Sequence, residues 1–210
     1  MFIDGDGSGH YAYLPTLIIY HTVDFSDVFE FEKSQRPLDY IGHYFHKQGD
    51  ILINKYTTGT SLLQLPFFLM AYILSFIFGL TPDGYNIIFQ YCIALSAMFW
   101  VGIGISYFVR LLKSFGIIDN FGWLLAMVTL FGTNLFFYTF VQPSFSHAFS
   151  FTVITMFLYY ARMLFLNYSR KGIMMAAFSL GLVFLVRPAN IIVIAALPFI
   201  AETPGRFLFG

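Results

Sequence analysis

Five long apolar runs constrain the fold of this chain more than any other feature of its sequence. They cover residues 62–80, 87–109, 121–140, 146–166 and 173–200. A helix needs roughly 20 apolar residues to cross the hydrocarbon core of a bilayer. Because lipid offers no hydrogen-bond partners, such a segment must bond its own backbone polar groups, as a helix does. The runs therefore predict an all-α, polytopic helical membrane protein.

The composition agrees with this class of protein. Charged residues make up 10% of the 210 residues, against about 25% in a soluble domain. The formal net charge is zero, so electrostatics gives no reason to expect a nucleic-acid partner. Membrane lipids are the expected surroundings. The single cysteine, Cys92, excludes an internal disulfide and a cysteine-based metal cluster.

The polar residues are concentrated at the start of the chain. Residues 1–60 contain eight of the eleven acidic residues and four of the five histidines. We therefore divide the chain into two predicted parts. Residues 1–61 form an external loop with juxtamembrane helices and an acidic motif, and residues 62–210 form a helical transmembrane body.

Basic residues between the runs predict the orientation of the helices. One basic connector contains Arg110 and Lys113, and the other contains Arg162, Arg170 and Lys171. The positive-inside rule places both connectors in the cytoplasm, and places connectors 81–84 and 141–146, which lack Lys and Arg, outside. An external head fits these sides only if run 62–80 lies on the membrane or re-enters it. We therefore predict about five to six membrane helices, including one juxtamembrane or re-entrant helix. An ordinary span with a cytoplasmic head is the alternative.

Polar residues inside the runs carry separate expectations. Arg187 lies in the middle of the last run, where an arginine is costly unless paired or solvated, so it is a candidate functional residue. Pro188 is expected to divide this run into two short helices. Arg162 is expected to extend to the interface from the end of its span, and Gln90 to bond a neighbouring helix.

The acidic motif is "DGDGSGHYAYLP", residues 4–15. Its Asp4 and Asp6 have the spacing of an EF-hand calcium loop, but Pro15 stands where that loop needs a bidentate Glu. Two interpretations of the carboxylates remain. They form a solvated acidic turn, or one of them is a base at the water–lipid boundary, where partial desolvation would raise its basicity.

A second motif, "NKYTTGTSLLQLPFF", covers residues 54–68. Lys55 and Tyr56 are either membrane-edge anchors or part of a phosphate site at headgroup depth, and spacing alone does not separate these interpretations. His147 begins a helix on the predicted outer side. A lone histidine there is more often a structural hydrogen bonder than a catalyst.

The order of these motifs resembles the GT-C superfamily of polytopic membrane glycosyltransferases. The segments that carry the resemblance are "DGDGSGHYAYLP", "KYTTGTSLLQLPFF", "SFSHAFSF" and "GLVFLVRPANIIV". Over nearly its whole length the chain is similar to protein O-mannosyltransferases and bacterial aminoarabinose transferases. It departs from them by beginning at the acidic loop, by ending after the fifth run, and by having His10 in place of a Tyr. We therefore expect an N- and C-terminally truncated fragment, which can be inactive by itself.

The resemblance also implies roles for individual residues. Asp6 matches the acidic residue that acts as catalytic base toward the acceptor, and Asp4 is an additional acid. Lys55 matches the lysine that contacts the lipid phosphate, and Arg187 is similar to the arginine of a later "RP" element. The remaining expected substrate-binding residues are Tyr56, His147, His10 and Tyr11.

Together these expectations describe an inverting glycosyltransferase of the bacterial inner membrane. It would move a sugar from a polyprenyl-phosphate donor to the hydroxyl of an unidentified acceptor at the outer face. No metal ligands are predicted; no cofactor is certain, and a divalent Mg²⁺ or Mn²⁺ stays open because the related enzymes differ. A membrane transporter or permease, and a non-catalytic membrane scaffold fragment, are the alternatives.

Overall fold

The computed structural model describes residues 2–35 and 44–201, and within these the chain is mostly helical, as predicted. The first helices are short: α1 Asp6–Tyr11, α2 Tyr13–Ile18 and α3 Ser26–Gln35. An antiparallel hairpin follows, β1 Phe45–Gln48 and β2 Ile51–Asn54, with Phe45 opposite Asn54. The later helices are α4 Gly59–Ile77, α5 Ile87–Ser114, α6 Asp119–Gly132, α7 Ser146–Leu166, α8 Arg170–Val186 and α9 Leu197–Ala201.

Three helices of the described chain are long and apolar enough to cross a membrane, namely α4, α5 and α7. This supports a membrane protein, while the number of five to six membrane helices stays a prediction. The run 121–140 is not one continuous helix, because α6 ends at Gly132, Thr133 is extended, and a π-helical segment covers Phe137–Val141. With its 14 residues, α6 is about 21 Å long, less than the roughly 30 Å of hydrocarbon.

The predicted break in the last run is confirmed. Helix α8 ends at Val186, Arg187 is extended with φ −160° and ψ 110°, and a 3-10 helix covers Pro188–Ala196. Proline has no N–H for the helix ladder and its ring clashes with the preceding turn. The chain therefore changes helix type at the position where the proline stands.

The prediction for Arg162 is wrong. Its side chain is buried rather than extended to the interface. The guanidinium donates to the carbonyl oxygen of Ile200 at 2.8 Å and to that of Ser114 at 3.1 Å, and lies 4.4 Å from the centre of the Phe115 ring. It thus bonds the carbonyl groups of the last residue of α5 and of a residue in the last turn of α9, positions where a helix offers its carbonyls no donor of its own.

The chain divides into two compact units. Unit 1 contains residues 1–98 and 138–146, and unit 2 contains 99–137 and 147–210. In unit 1, α1 and α2 pack on α4, so the polar head and the first apolar helix share one compact body. The predicted division at residue 61 refers to membrane exposure and stays a prediction.

Aromatic side chains fill the core of unit 1, which accounts for the aromatic-rich head. The buried set includes Tyr11, Phe25, Tyr44, Phe45, Phe68, Tyr85 and Phe89. Glu32 is buried among them and accepts hydrogen bonds from the hydroxyls of Tyr44 and, at 3.2 Å, Tyr85. Burial, with the nearby Glu32 charge, raises the pKa of the Tyr85 phenol well above its ordinary value, so this phenol stays a neutral donor.

The hairpin was not predicted, and one side chain attaches it to α3. The Asp24 carboxylate accepts from the backbone N–H of Leu52 at 2.8 Å. The same oxygen accepts from the N–H and the hydroxyl of Ser26, the first residue of α3, at 3.1 and 2.8 Å. These bonds, that of Leu52 first, hold the pKa of Asp24 below its usual range. Asp24 therefore joins the first residue of α3 to strand β2 of the hairpin.

In unit 2, small residues let α5 and α7 approach closely. The Thr152 hydroxyl donates to the carbonyl of Trp100 at 2.7 Å, and that of Thr155 to the carbonyl of Gly104 at 3.2 Å. A Cβ at Gly104 would lie 2.8 Å from the Thr152 oxygen. Close contact through glycine and threonine is the usual way in which membrane helices associate.

Candidate functional site

The glycines of the acidic motif shape the start of unit 1. Gly5 has a φ of +52°, a backbone conformation that glycine adopts without strain. A Cβ on Gly7 would lie 1.9 Å from Ser144 Oγ, and one on Gly9 would lie 2.4 Å from the Tyr56 ring. The alternating glycines therefore turn the chain into α1 and let α1 touch two remote segments. These contacts account for the glycines at positions 7 and 9 of the motif.

The two aspartates have different surroundings. Asp6 is the first residue of α1 and is exposed, so the partial desolvation expected for the base is not present at its side chain. Asp4 is half-buried; its backbone N–H lies 3.5 Å from Ser144 Oγ, and its carboxylate accepts from the N–H of Gly5 at 2.8 Å.

Gln90 fixes the segment that carries the aspartates. Its side-chain oxygen accepts from the N–H groups of Phe2 and Ile3 at 2.8 and 2.9 Å, while its amide donates to the carbonyl of Tyr85 at 3.2 Å. In these bonds Gln90 binds the start of the chain rather than a neighbouring membrane helix, so the expectation for this residue is corrected. A glutamine inside an apolar run was the only signal in the sequence, and it did not identify the partner.

His10, Tyr56 and Lys55 form one contiguous corner. The rings of His10 and Tyr56 lie 4.3 Å apart between centroids, and Lys55 Nζ lies 5.0 Å from the centre of the Tyr56 ring. His10 is buried, Tyr56 half-buried and Lys55 exposed. His10 stands one helical turn after Asp6 in α1, and residues four apart share a helix face. Three predicted binding residues thus meet beside the helix that begins with Asp6.

Asn54 links this corner to α1, and the sequence did not identify it. Its side-chain amide donates to the carbonyl of Gly9 at 2.6 Å, and its side-chain oxygen accepts from the N–H of Tyr56 at 3.0 Å. The Tyr13 hydroxyl donates to the carbonyl of Tyr56 at 2.5 Å. Burial raises the pKa of this phenol, so it remains a neutral donor. The backbone of Tyr56 is therefore held from two sides.

Tyr11 lies in the core of unit 1 rather than at the surface beside Asp6. Its side chain is fully buried and its hydroxyl donates to the carbonyl of Gly84. Burial raises the pKa of this phenol well above its ordinary value. The position is that of a core residue that supports α1.

An apolar groove begins next to the corner. This α2–α4 groove has a volume of about 290 Å³. Its walls are mainly Leu14, Leu17, Ile18, Leu62 and Leu65, with Tyr13, Thr58 and Ser61 supplying the polar atoms. Because Thr58 follows Lys55 by three residues and Tyr13 bonds Tyr56, the groove and the cation are parts of one surface.

Arg187 and His147 belong to unit 2, where they contact each other. The Arg187 Nη1 atom lies 3.4 Å from both ring nitrogens of His147. Arg187 is exposed and His147 is half-buried. Nearby, Asn190 donates to the Ser150 hydroxyl at 2.8 Å and joins the 3-10 helix to α7. The break at Pro188 thus presents a cation beside the start of α7.

Residues 2–35 and 44–201 contain no group of three or more His, Cys, Asp or Glu side chains that could hold a metal ion. Asp4 and Asp6 are the two carboxylates that a Mg²⁺ or Mn²⁺ ion would use here, since Mg²⁺ often binds one or two carboxylates together with substrate phosphates. The histidines at positions 43 and 46 are three residues apart, a spacing that could bind a metal only with a further ligand; His46 is exposed in β1, and His43 lies outside the described residues.

No protein-family model, curated protein or solved structure matches the chain.

Proposed function

We propose that this chain is the donor-binding part of a membrane glycosyltransferase that uses a polyprenyl-phosphate sugar. One observation carries the proposal: unit 1 joins Asp6, the His10–Tyr56–Lys55 corner and the α2–α4 groove through α1 and α2. A carboxylate, a cation beside aromatic rings and an apolar groove are what a substrate with a hydroxyl, a phosphate and an isoprenoid chain requires.

In the proposed reaction Asp6 is the general base. Its carboxylate takes the proton of the acceptor hydroxyl as that oxygen attacks the anomeric carbon. The bond between the anomeric carbon and the phosphate oxygen breaks, and its electron pair leaves with the polyprenyl phosphate. Asp6 is exposed, which lets an acceptor reach it without rearrangement of the core. Attack from the face opposite the leaving group inverts the anomeric configuration.

Lys55 stabilises the charge that develops on the leaving phosphate. An ammonium ion close to the phosphate lowers the energy of the transition state because it need not reorganise during the reaction. The backbone of Tyr56 bonds Asn54 and Tyr13, and its ring lies 5.0 Å from the Lys55 Nζ. The carrier chain would occupy the α2–α4 groove, whose walls are almost entirely apolar. Arg187, which contacts His147 in unit 2, is a separate candidate residue, and its role in donor binding stays a prediction.

The chain would work as a multi-pass protein of a bacterial inner membrane. Helices α5 and α7 would cross it, α4 would lie on the membrane or re-enter it, and the basic connectors would face the cytoplasm. The head, with Asp6 and Lys55, would then lie at the outer face, where polyprenyl-linked sugars are consumed.

Binding is the first test, since it does not require an active chain. The reconstituted protein is titrated with undecaprenyl phosphate, with thermal stability and intrinsic fluorescence as readouts. Lys55→Gln removes a charged bond to phosphate worth about 1.5–3 kcal/mol, so we expect an affinity about 10–100 times lower. Lys47→Gln, at an exposed lysine of β1, is the matched control. Equal binding by both variants would reject the role of Lys55, and no binding by the unmodified chain would favour a scaffold.

Transfer is the second test, with radiolabelled donor. Asp6→Asn should retain undecaprenyl phosphate binding and reduce the transfer rate about 10²–10⁴-fold, the usual contribution of a general base. Asp27→Asn removes an exposed carboxylate in the first turn of α3 and should leave the rate unchanged. A rate for Asp6→Asn equal to that of the unmodified chain would refute the proposed base. Comparison with and without a chelator decides whether transfer requires a divalent metal.

A transporter is the second candidate, because the apolar runs are interrupted. Helix α6 gives way to the π-helical segment Phe137–Val141, and α8 gives way to a 3-10 helix at Pro188. Transporters use interrupted membrane helices to bind substrate near the midplane. Solute flux through vesicles that contain the chain, in the absence of donor consumption, would favour this function.

A further inference from the structure

Unit 2 contains an apolar groove that the proposed reaction does not use. This α7–α8 groove has a volume of about 280 Å³. It is lined along its length by Phe157, Ala161, Leu164, Ile173, Ala176 and Leu180, and Tyr168 lies at one end. Its walls are the C-terminal half of α7 and the N-terminal half of α8, together with Ile194 and Leu197 from the chain after Pro188.

Two basic residues, Arg170 and Lys171, lie at the end of the groove that is lined by Tyr168. Arg170 and Lys171 fall between Tyr168 and Ile173, which both line it, and both basic residues are exposed. Within the described part of the chain neither makes an ion pair. The described residues of unit 2 contain a single acidic side chain, Asp119, which pairs with Lys113 at 2.9 Å.

The position of these cations in α8 is unfavourable without an anion. Arg170 and Lys171 are the first two residues of the helix, and its first turn has no acidic residue. The N-terminal end of a helix carries partial positive charge and favours negative groups. The N–H of Gly172 is already bonded to the Ser169 hydroxyl at 3.0 Å, and the N–H groups of a helix end that remain unbonded are suited to bind a phosphate. A negatively charged group at this end would neutralise both the side chains and the helix end.

Other basic residues lie at the same end of unit 2. Arg162 of α7 bonds the carbonyl of Ser114, the last residue of α5. The C-terminal ends of α5 and α7 are therefore neighbours, and Arg110 stands one turn before the end of α5. A membrane helix bundle with such a basic end attracts anionic lipid headgroups.

We infer that the α7–α8 groove binds one acyl chain of an anionic phospholipid, whose phosphate contacts Arg170 and Lys171. The depth of the groove agrees with this occupant. From Ile173 to Leu180 it extends about 10 Å along α8 at 1.5 Å per residue, roughly two thirds of a leaflet whose hydrocarbon is about 15 Å thick. A chain in the groove and a phosphate at Lys171 would thus belong to one lipid molecule. This inference is independent of the proposed transferase.

Fluorescence quenching by brominated lipids tests the site in the full chain. The native tryptophans are replaced through Trp100→Phe and Trp123→Phe, and Leu180→Trp places one reporter in the groove. Vesicles consist of phosphatidylcholine with a minor fraction of either phosphatidylglycerol or phosphatidylcholine brominated on the acyl chain. We expect stronger quenching by brominated phosphatidylglycerol. The matched reporter is Phe178→Trp, on an exposed face of α8 outside the groove, where both lipids should quench equally.

Charge variants complete the test. Lys171→Gln in the Leu180→Trp protein should lower the preference for phosphatidylglycerol about fivefold, which corresponds to the roughly 1 kcal/mol contributed by one basic residue at a membrane surface. Arg110→Gln, which removes a charge from the same end but not from the groove, should change it far less. Equal quenching by both lipids at residue 180 would overturn the inference. Equal loss from Lys171→Gln and Arg110→Gln would also overturn it, because the attraction would then come from the surface as a whole.

Discussion

The contact between Gly7 and Ser144 holds the acidic motif in place, so Gly7→Ala is a sharp test of the fold. Ser144 lies in the short segment before α7, and its side chain is fully buried. A Cβ on Gly7 would lie 1.9 Å from the Ser144 Oγ, 2.7 Å from its Cβ and 3.0 Å from its carbonyl carbon. Two of these three atoms are backbone or adjacent to it, so a simple rotation of the serine cannot relieve the clash.

The expected effect follows from two opposed contributions. Alanine is favoured over glycine inside a helix by about 1 kcal/mol. Overpacking of a filled site costs about 1–3 kcal/mol, and the distances here place Gly7→Ala at the upper end. The net loss should therefore be about 2 kcal/mol, which lowers the midpoint of thermal unfolding by about 4–8 °C for a chain of this size.

The assay is thermal unfolding in detergent micelles, with two matched controls. Gly102→Ala in α5 and Gly181→Ala in α8 place the same methyl group at helical glycines where no heavy atom lies within 4 Å. Both controls should be neutral or slightly stabilising. In a double variant, Ser144→Gly removes the two nearest atoms and should restore much of the stability lost through Gly7→Ala, as a coupling between the two sites.

One result would refute the contact. If Gly7→Ala unfolded at the same temperature as Gly102→Ala, a Cβ at residue 7 would have space, and α1 could not lie against Ser144 as described. Loss of stability without any rescue by Ser144→Gly would point to a different cause for the effect.

Two further predictions concern residues that hold remote segments together. Arg162→Met removes a buried cation that bonds the carbonyls of Ile200 and Ser114, so we expect a loss of about 2 kcal/mol of stability in thermal unfolding. The pKa of Asp24 is lower in the folded chain than in the unfolded chain, where it is about 3.9. Its bond to Leu52 therefore stabilises the fold fully at pH values above the unfolded pKa. This stability is lost as the pH falls through the lower pKa of the folded state. Asp24→Asn should abolish this pH dependence in hydrogen exchange of the hairpin amides.

Each of these predictions has its own control. Lys47→Met removes an exposed cation of β1 and should change stability by less than about 0.5 kcal/mol. A loss as large as that of Arg162→Met would show that charge alone is responsible. For the hairpin, the control is Asp50→Asn, which changes an exposed carboxylate at the turn and should leave the pH dependence of hydrogen exchange unchanged. If the acid-induced increase in exchange persisted in Asp24→Asn, another carboxylate would be responsible for it.

Much of the architecture could be predicted from composition and apolar length. The mostly helical fold and the division at Pro188 were predicted correctly, because each depends on residues close together in the sequence, and three long apolar helices support the membrane class. The α5 and α7 helices begin at the residues where their runs begin, Ile87 and Ser146. The helix expected over run 121–140 was predicted less well, because the length of an apolar run does not show where the α-helical hydrogen bonds stop.

The candidate site was only partly predictable. The sequence identified Lys55, Tyr56 and His10 as separate candidates. Their contact depends on how α1 packs against the segment between β2 and α4. Asn54, whose bond to Gly9 joins the two motifs, gave no signal. Tyr11 was chosen for its place in a motif, and its burial depends on neighbours that come from α4 and the turn before α5.

By itself the sequence determined where long helices form, because an apolar stretch of about 20 residues must bond its own backbone polar groups in lipid. The helix before Pro188 ends there, whereas Pro66 is accommodated inside α4. Only the tertiary structure decided what the isolated polar residues do. Gln90 bonds the start of the chain, and Arg162 bonds the ends of two helices. A buried donor or acceptor bonds whichever partner the fold brings to it. Ile3 is 87 residues from Gln90, and Ser114 is 48 residues from Arg162. The glycines of the acidic motif belong to the same class, since the space that they leave open is filled by Ser144 and Tyr56.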